Sequence, residues 1–269
     1  MPRRRPATSP FRERQALRDI QRAEPTRAPW AGEPMGVHQV PTGVDLLGLD
    51  GVGLAVSDLE AMAAFLCGHL GMHELDRAPG RLLVGAGDGA ATLTIVAAQR
   101  PREAGALRRL VLRVADVERA VGGLPAGTAV EGDQLELATF EGPEGLRLGF
   151  TLVAGGGIDY DVDHVRLRVS DPEQTRVALA EAGFVPRAAA LHVADKYIAL
   201  ARSPASTERP LLDRIAVRVA SAEAVAEQAR ERGLAIDDRA PDGTVGIVLP
   251  GDEQIRIHFV ERTPHTDAP

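Results

Sequence analysis

Seven basic side chains occupy alternate positions of three segments that have the period of β-strands. They are His164, Arg166, Arg168, Arg214, Arg218, Arg256 and His258. Because successive side chains of a strand point to opposite faces, the basic residues of each segment share one face of a sheet. Imidazole is a common ligand of divalent metal ions, and guanidinium binds planar anions through paired donors. The histidines are therefore candidate metal ligands, and the five arginines are candidate ligand-binding residues of a cleft.

The segment that begins at His164 is the third of four copies of one pattern. The copies span 51–58, 109–116, 164–171 and 214–221, and a glutamate follows each at the same offset (Glu60, Glu118, Glu173 and Glu223). In each copy apolar residues recur at every second position, as expected for a half-buried strand, and the copy ends in residues typical of a helix start. Self-similarity that recurs about every 50 to 60 residues indicates a fold built from repeated units.

Each copy predicts a strand and a helix, and three short strands are expected after it. This β-α-β-β-β order defines four modules at 49–99, 107–154, 161–202 and 211–262. In the second module the three short strands are predicted at 128–131, 134–140 and 146–153. Glycines at 155–157 are typical of a flexible linker, which predicts a domain boundary between the second and third modules.

The composition limits the class of protein. A chain of 269 residues with 44% hydrophobic and 26% charged residues is typical of a soluble globular protein with two domains. The net charge of −7 argues against a general nucleic-acid binder. Cys67 is the only cysteine, which excludes an intramolecular disulfide and fits the reducing cytoplasm. No apolar run approaches membrane-spanning length.

The two ends of the chain differ from the repeats. Residues 1–46 are rich in arginine and proline, which predicts a disordered N-terminal arm, and residues 263–269 form a polar tail. The arm could instead recruit a partner, which would make the chain a non-catalytic interaction module. The sequence leaves open whether the modules pair within one chain or between two copies in a homodimer.

Two strings carry a resemblance to a known family. They are LDGVGLAVSDLE at 49–60 and the turn EGPEGLRL at 141–148. With the fourfold module order, they resemble the vicinal oxygen chelate (VOC) superfamily, which includes glyoxalase I, bleomycin-resistance proteins and extradiol enzymes such as dihydroxybiphenyl dioxygenase. The resemblance implies an α+β fold in which four βαβββ modules pair into two curled mixed sheets with helices outside. The two-domain dioxygenases further imply an N-terminal domain at 47–154 and a C-terminal domain at 160–262 that holds the working site.

The resemblance also implies where a metal would be held. In the family a histidine commonly opens the strand motif and a glutamate commonly lies on a module's last strand. The positions that match the histidine are Gly51, Arg109, His164 and Arg214. The positions that match the glutamate lie near Thr94, Gly149, Ala199 and His258. The C-terminal modules therefore offer His164 and His258 to a divalent ion (Fe, Mn, Zn or Ni), but Arg214 replaces the second histidine and no carboxylate matches.

The favoured hypothesis is a VOC protein that binds a small, anionic organic molecule in the C-terminal cleft beside an incomplete metal site. The alternative is a metal-dependent enzyme: a dioxygenase, lyase or isomerase. Positive charges that face one groove repel each other unless anions compensate them. Acidic side chains of the chain itself or a bound carboxylate or phosphate would both serve.

Overall fold

The repeat pattern forms the expected strands and helices. A computed structural model describes residues 44–85, 92–132, 137–152, 160–203, 208–237 and 244–261. The predicted arm up to residue 43, the glycine linker and the C-terminal tail lie outside the described residues. Among the described residues no helix is both long enough and apolar enough to cross a membrane.

Four strand groups correspond to the four modules. Module 1 contains β1 (Leu46–Val56), β2 (His73–Ala78), β3 (Arg81–Gly85) and β4 (Thr92–Ala97), and module 2 contains β5 (Leu107–Val114), β6 (Leu137–Glu141) and β7 (Arg147–Leu152). Module 3 contains β8 (Asp161–Val169), β9 (Val185–Arg187), β10 (Ala190–Val193) and β11 (Lys196–Arg202). Module 4 contains β12 (Leu212–Val219), β13 (Ala235–Ile236), β14 (Thr244–Val248) and β15 (Arg256–Glu261).

One helix follows the first strand of each module. The helices are α1 (Leu59–Ala63), which continues as a π-helical turn (Ala64–His69), α2 (Val117–Gly122), α3 (Pro172–Glu181) and α4 (Ala222–Glu231). A side chain at the same place in each copy accepts a hydrogen bond from the first turn: Asp58, Asp116, Asp171 and Ser221. These caps satisfy backbone N–H groups that have no partner within the helix, so the end of each repeat stops the strand and starts the helix.

The alternation of side chains determines which face of each sheet is buried. On β8, Val165, Leu167 and Val169 are fully buried, whereas Arg166 and Arg168 on the other face are half-buried. The apolar faces of all four modules contribute to one continuous hydrophobic core together with the helices. The opposite face of each sheet is left for a cleft.

Modules that are distant in sequence share a sheet. The eight-stranded sheet has the order β13-β14-β15-β12-β1-β4-β3-β2, and the seven-stranded sheet has the order β6-β7-β5-β8-β11-β10-β9. Module 1 thus pairs with module 4 through β1 and β12, and module 2 pairs with module 3 through β5 and β8. The expectation that consecutive modules pair, which implied a self-contained C-terminal cleft, is wrong. The four first strands have the same local pattern, so that pattern does not distinguish between possible partners.

The second sheet has seven strands because module 2 lacks the strand predicted at 128–131. Among the described residues of that segment, only Glu131 forms a bridge, with Thr139 on β6. The rest of the fourfold module prediction, with two mixed sheets and helices packed on their apolar faces, is confirmed.

Candidate functional site

The open face of the eight-stranded sheet, which we call the eight-stranded cleft, contains a cavity of about 180 Å³. Its walls come from modules 1 and 4 and include Asp50, Gly51, Thr94, Arg214 and His258. The glycine is required by close packing, because a Cβ on Gly51 would lie 2.4 Å from the carbonyl oxygen of Thr92.

The basic residues of the eight-stranded cleft have acidic partners within the chain. Arg214 donates to Asp213 at 2.5 Å, and Nε2 of His258 lies 2.9 Å from Asp237 Oδ2. Nε of Arg256 lies 3.4 Å from the same carboxylate oxygen, and the Asp237 side chain is only 3% exposed. Internal compensation of charge, one of the two interpretations of the basic face, is therefore confirmed for Arg214 and Arg256.

The corresponding face of the seven-stranded sheet, the seven-stranded cleft, carries a different charge arrangement. Arg109 on β5 is the direct cross-strand partner of Arg166 on β8. Because Leu110 pairs with Leu148, Arg147 on β7 occupies the neighbouring position on the other side of Arg109. We call Arg147, Arg109 and Arg166 the arginine row. A cavity of about 140 Å³ adjoins it and is lined by Arg109, Ala129, Glu131, Thr139, Phe140, Glu141 and Arg147.

The arginine row has little compensating charge. Neither Arg109 nor Arg166 makes an ion pair with a described residue, and Arg147 reaches Glu141 only at 3.9 Å. Burial lowers the pKa of Arg109, and repulsion from Arg166, Arg108 and Arg147 lowers it further, against a smaller opposing effect of Glu131. Adjacent like charges on a half-buried surface destabilise the sheet locally.

A cluster of rings lies next to the arginine row on the same face. His164 on β8 pairs with Tyr197 on β11, and their rings stack at 4.3 Å with an interplanar angle of 11°. His192 on β10 follows, with its ring 5.3 Å from that of Tyr197. We call these three residues the ring cluster. Burial raises the pKa of the Tyr197 phenol, and the nearby Asp163 carboxylate adds to the rise, so the phenol is neutral at physiological pH.

Asp163 and Arg113 orient the His164 ring. Burial of the Asp163 carboxylate opposes its ionisation, but hydrogen bonds from His164 and Arg113 outweigh burial and hold its pKa below the ordinary value. An ionised carboxylate only accepts, so Nδ1 of His164 carries a proton and donates it to Asp163 at 2.6 Å. Arg113 donates to Asp163 at 2.7 Å and also to Asp195, whose pKa it lowers.

The structure divides the predicted site residues between two faces. Arg214, Arg256 and His258 lie together in the eight-stranded cleft, whereas His164 and Arg166 lie in the seven-stranded cleft. The prediction that both histidines line one cleft is therefore wrong, because their strands belong to different sheets. Arg168 donates to the carbonyl oxygen of Gly105 at 3.0 Å.

Arg218 lies at the far end of β12. A Cβ added to Gly48 would lie 3.4 Å from its Nη2 atom, and Arg218 does not line the cavity of the eight-stranded cleft. Like Arg168, it occupies the last polar position of its first strand, which places both arginines away from the centre of their sheets.

Sequence interpretation missed Arg147, Tyr197 and the role of Arg109. The repeats do contain a usable signal, because the residue before each copy is Asp50, Arg108, Asp163 or Asp213. In modules 3 and 4 this aspartate binds the side chain that follows it, His164 or Arg214. In module 2 an arginine replaces the aspartate, so Arg109 lacks the acid that its counterparts have.

The comparisons with known proteins agree with this architecture. Residues 48–150 match the model of the Glyoxalase/Bleomycin resistance protein/Dioxygenase superfamily. Residues 48–150 form a domain of this superfamily. The VOC resemblance is thereby confirmed, and no curated protein sequence matches this VOC protein.

Solved structures show the fold of the VOC protein beyond the matched segment. It is similar to glyoxalase I from Zea mays, with a TM-score of 0.62 and 15% identity over 79% of this chain and 92% of that chain. A candidate dioxygenase from Bacillus subtilis has a TM-score of 0.64 and 16% identity, over 82% of this chain and 86% of that chain. The cppA protein from Streptococcus pneumoniae TIGR4 has a TM-score of 0.59 and 12% identity, over 81% and 100%. At these identities the likeness concerns the fold alone.

The metal positions implied by the superfamily fit a divalent ion poorly in both sheets. With the observed pairing, the eight-stranded cleft combines Gly51, Thr94, Arg214 and His258, and the seven-stranded cleft combines Arg109, Gly149, His164 and Ala199. Each set holds one imidazole, one guanidinium and no carboxylate. Iron or manganese sites of this kind need imidazoles together with a carboxylate, and a guanidinium repels a cation. Among the described residues no cluster of three histidine, cysteine, aspartate or glutamate side chains could hold a metal ion.

Proposed function

We propose that this VOC protein binds a small organic carboxylate in its seven-stranded cleft, with Arg109 and Arg166 as the principal ligands of the anion. The observation that carries the proposal is the arginine row itself, in which these two neighbouring side chains have no ion-pair partner among the described residues. Because the metal positions implied by the superfamily do not offer a donor set that suits a divalent ion, the proposal concerns binding and assigns no catalytic step.

A bound anion would compensate the charge that the chain leaves uncompensated. Charge-assisted hydrogen bonds are shorter and about twice as strong as neutral ones, and arginine matches the geometry of a carboxylate through two parallel N–H donors. The half-buried position of Arg109 and Arg166 strengthens this attraction because water screens it less. The repulsion that lowers the pKa of Arg109 would be relieved at the same time.

The eight-stranded cleft is the weaker candidate for an anion. Its three central basic residues already contact Asp213 or Asp237, so a ligand carboxylate would compete with acids that are held in place. The matched pair of clefts within one chain therefore supplies an internal control for the proposal.

Titration of the full chain with acetate, succinate and benzoate, followed by protein-observed NMR, tests the proposal. Arg109→Gln and Arg166→Gln should each weaken binding about tenfold to a hundredfold, because a hydrogen bond to a charged group contributes about 1.5–3 kcal/mol. Arg214→Gln is the matched control in the other cleft and should leave affinity unchanged. Absence of binding by all three acids, or equal losses in all three variants, would contradict the proposal.

A further inference from the structure

We infer that the eight-stranded cleft binds an uncharged molecule of the amide class, such as a lactam, through Nδ1 of His258 and the guanidinium of Arg214. This second ligand site is independent of the anion site proposed for the seven-stranded cleft. It uses the cavity of about 180 Å³ described above. Sites for drug-sized ligands measure about 300–1,000 Å³, so this cavity suits a smaller molecule.

Small residues form the floor of this cavity. Ala216 on β12 pairs with Gly51 on β1, and all residues of this row line the cavity. The row continues with His258 on β15 at one end and with Thr92 on β4 at the other. Since neighbouring strands lie about 4.8 Å apart, the two end strands are separated by about 14 Å. Between them the floor carries only a methyl group and a hydrogen atom, which leaves room for a ligand.

His258 supplies a buried hydrogen-bond acceptor to the cavity. The residue is only 5% exposed, and its Nε2 lies 2.9 Å from Asp237 Oδ2. A carboxylate accepts hydrogen bonds, so Nε2 carries a proton, and in the uncharged ring Nδ1 is then an acceptor. Nδ1 makes no hydrogen bond with a described residue, and it is not closed off from solvent. Because buried polar groups almost always have a partner, a donor from a ligand is expected at this atom.

Arg214 supplies hydrogen-bond donors whose charge is already compensated. Its Nη1 donates to Asp213 Oδ2 at 2.5 Å, whereas Nε and Nη2 make no hydrogen bond with a described residue. A ligand carboxylate would compete with Asp213, but a carbonyl oxygen can accept from the remaining donors without displacing it. Arg214 lies two residues before Ala216 on the same face, about 7 Å along β12, and lines the same cavity as His258.

The two polar groups together specify the class of ligand. One acceptor and one donor of compensated charge match a molecule that carries an N–H group, a carbonyl group and no net charge. The side chains of Leu83 and Val260 also line the cavity and suit an apolar body. A site built to hydrogen-bond a ligand N–H discriminates against an analogue without it, because the buried acceptor is then left unpaired.

γ-Butyrolactam and cyclopentanone form a matched pair of probes, because they share a five-membered ring and a carbonyl group and differ in the N–H group. In titrations of the full chain followed by NMR, the lactam should bind about tenfold more tightly. The backbone amides of Gly51 and Ala216 and the nitrogen resonance of His258 Nδ1 should shift on its addition. Equal affinities for the two probes, or failure of the lactam to bind, would overturn the inference.

Two substitutions test the location of the site. Arg214→Leu removes the donors, and Ala216→Leu places a larger side chain on the floor of the cavity. Each should weaken γ-butyrolactam binding about tenfold and leave acetate binding by the seven-stranded cleft unchanged. Ala199→Leu, on the open face of the other sheet, is the matched control and should keep the lactam affinity of the natural chain. Unchanged lactam affinity in both cleft variants, with folding verified by urea denaturation, would contradict the inference.

Discussion

The two clefts are formed by the same structural repeat, but their basic residues have different partners. In the eight-stranded cleft, Arg214, Arg256 and His258 contact Asp213 or Asp237. In the seven-stranded cleft, Arg109 and Arg166 face each other, and neither makes an ion pair with a described residue. The difference teaches that a repeat can keep its fold while single residues determine whether the basic side chains on its open face have acidic partners.

One position accounts for much of this difference. The residue before the first repeat position is aspartate in modules 1, 3 and 4 and is Arg108 in module 2. Where the aspartate is present in the last two modules, it contacts its neighbour at 2.5–2.6 Å. At β5 the corresponding residue is Arg108, which places a positive charge beside Arg109 and leaves it without the adjacent acid that His164 and Arg214 have.

Among the substitutions that test the difference between the two clefts, Asp237→Asn should have the largest effect on the free energy of unfolding. The substitution leaves Arg256 and His258 without their buried carboxylate, and removal of one partner from a buried ion pair typically costs about 3–5 kcal/mol. Urea denaturation measures the loss, and Asp213→Asn, at a more exposed pair, should cost less. The variant should also acquire an anion site in the eight-stranded cleft. A loss of less than about 1 kcal/mol would show that this carboxylate is not what stabilises the cleft.

Asp163→Asn should have an intermediate, pH-dependent effect. His164 and Arg113 lower the pKa of Asp163 below its ordinary value of 3.8, so the ionised form contributes stability above that pH and loses it as the pH falls through the lower folded-state pKa. At neutral pH the variant should be about 1–3 kcal/mol less stable than the natural chain.

Free energies of unfolding measured from pH 7 to pH 2 test this expectation. The difference between the two chains should narrow as the pH falls below 3.8, because the Asp163 carboxylate of the unfolded chain is protonated before that of the folded chain, whose pKa is lower. A difference that stays constant over this range would mean that Asp163 contributes through its shape and packing, and that its charge has little effect.

Arg108→Asp should have the smallest effect on stability and would make module 2 resemble modules 3 and 4. The new carboxylate should pair with Arg109 and raise the free energy of unfolding by about 0.5–1 kcal/mol, as expected for a partly exposed pair that also removes a repulsion. Benzoate affinity should fall about tenfold, because the internal acid would compete with the ligand. Arg108→Gln removes the repulsion between Arg108 and Arg109 without adding a carboxylate. It therefore separates the effect of the lost repulsion from the effect of the new acid. Unchanged affinity in Arg108→Asp would show that this position does not control the arginine row.

The site could be predicted only in part because its residues come from modules that are not consecutive. The sequence predicts Arg109 at a strand start and Arg166 on the open face of another strand, but no local pattern predicts that these two strands pair. The ring cluster was missed because Tyr197 and His192 lie on short strands whose register depends on β8. By contrast, the lack of a carboxylate at the metal positions was visible in the sequence, since it depends on residue types alone.

The sequence by itself determined the four repeats, the start of each helix and the face to which each strand residue points. These properties depend on neighbours within a few residues, through alternation of side chains and capping of backbone N–H groups. Only the tertiary structure decided that β1 pairs with β12 and β5 with β8, and therefore that His164 and His258 lie in different clefts. All four first strands offer similar edges, so burial of the whole core, and not any local pattern, selects which of them pair.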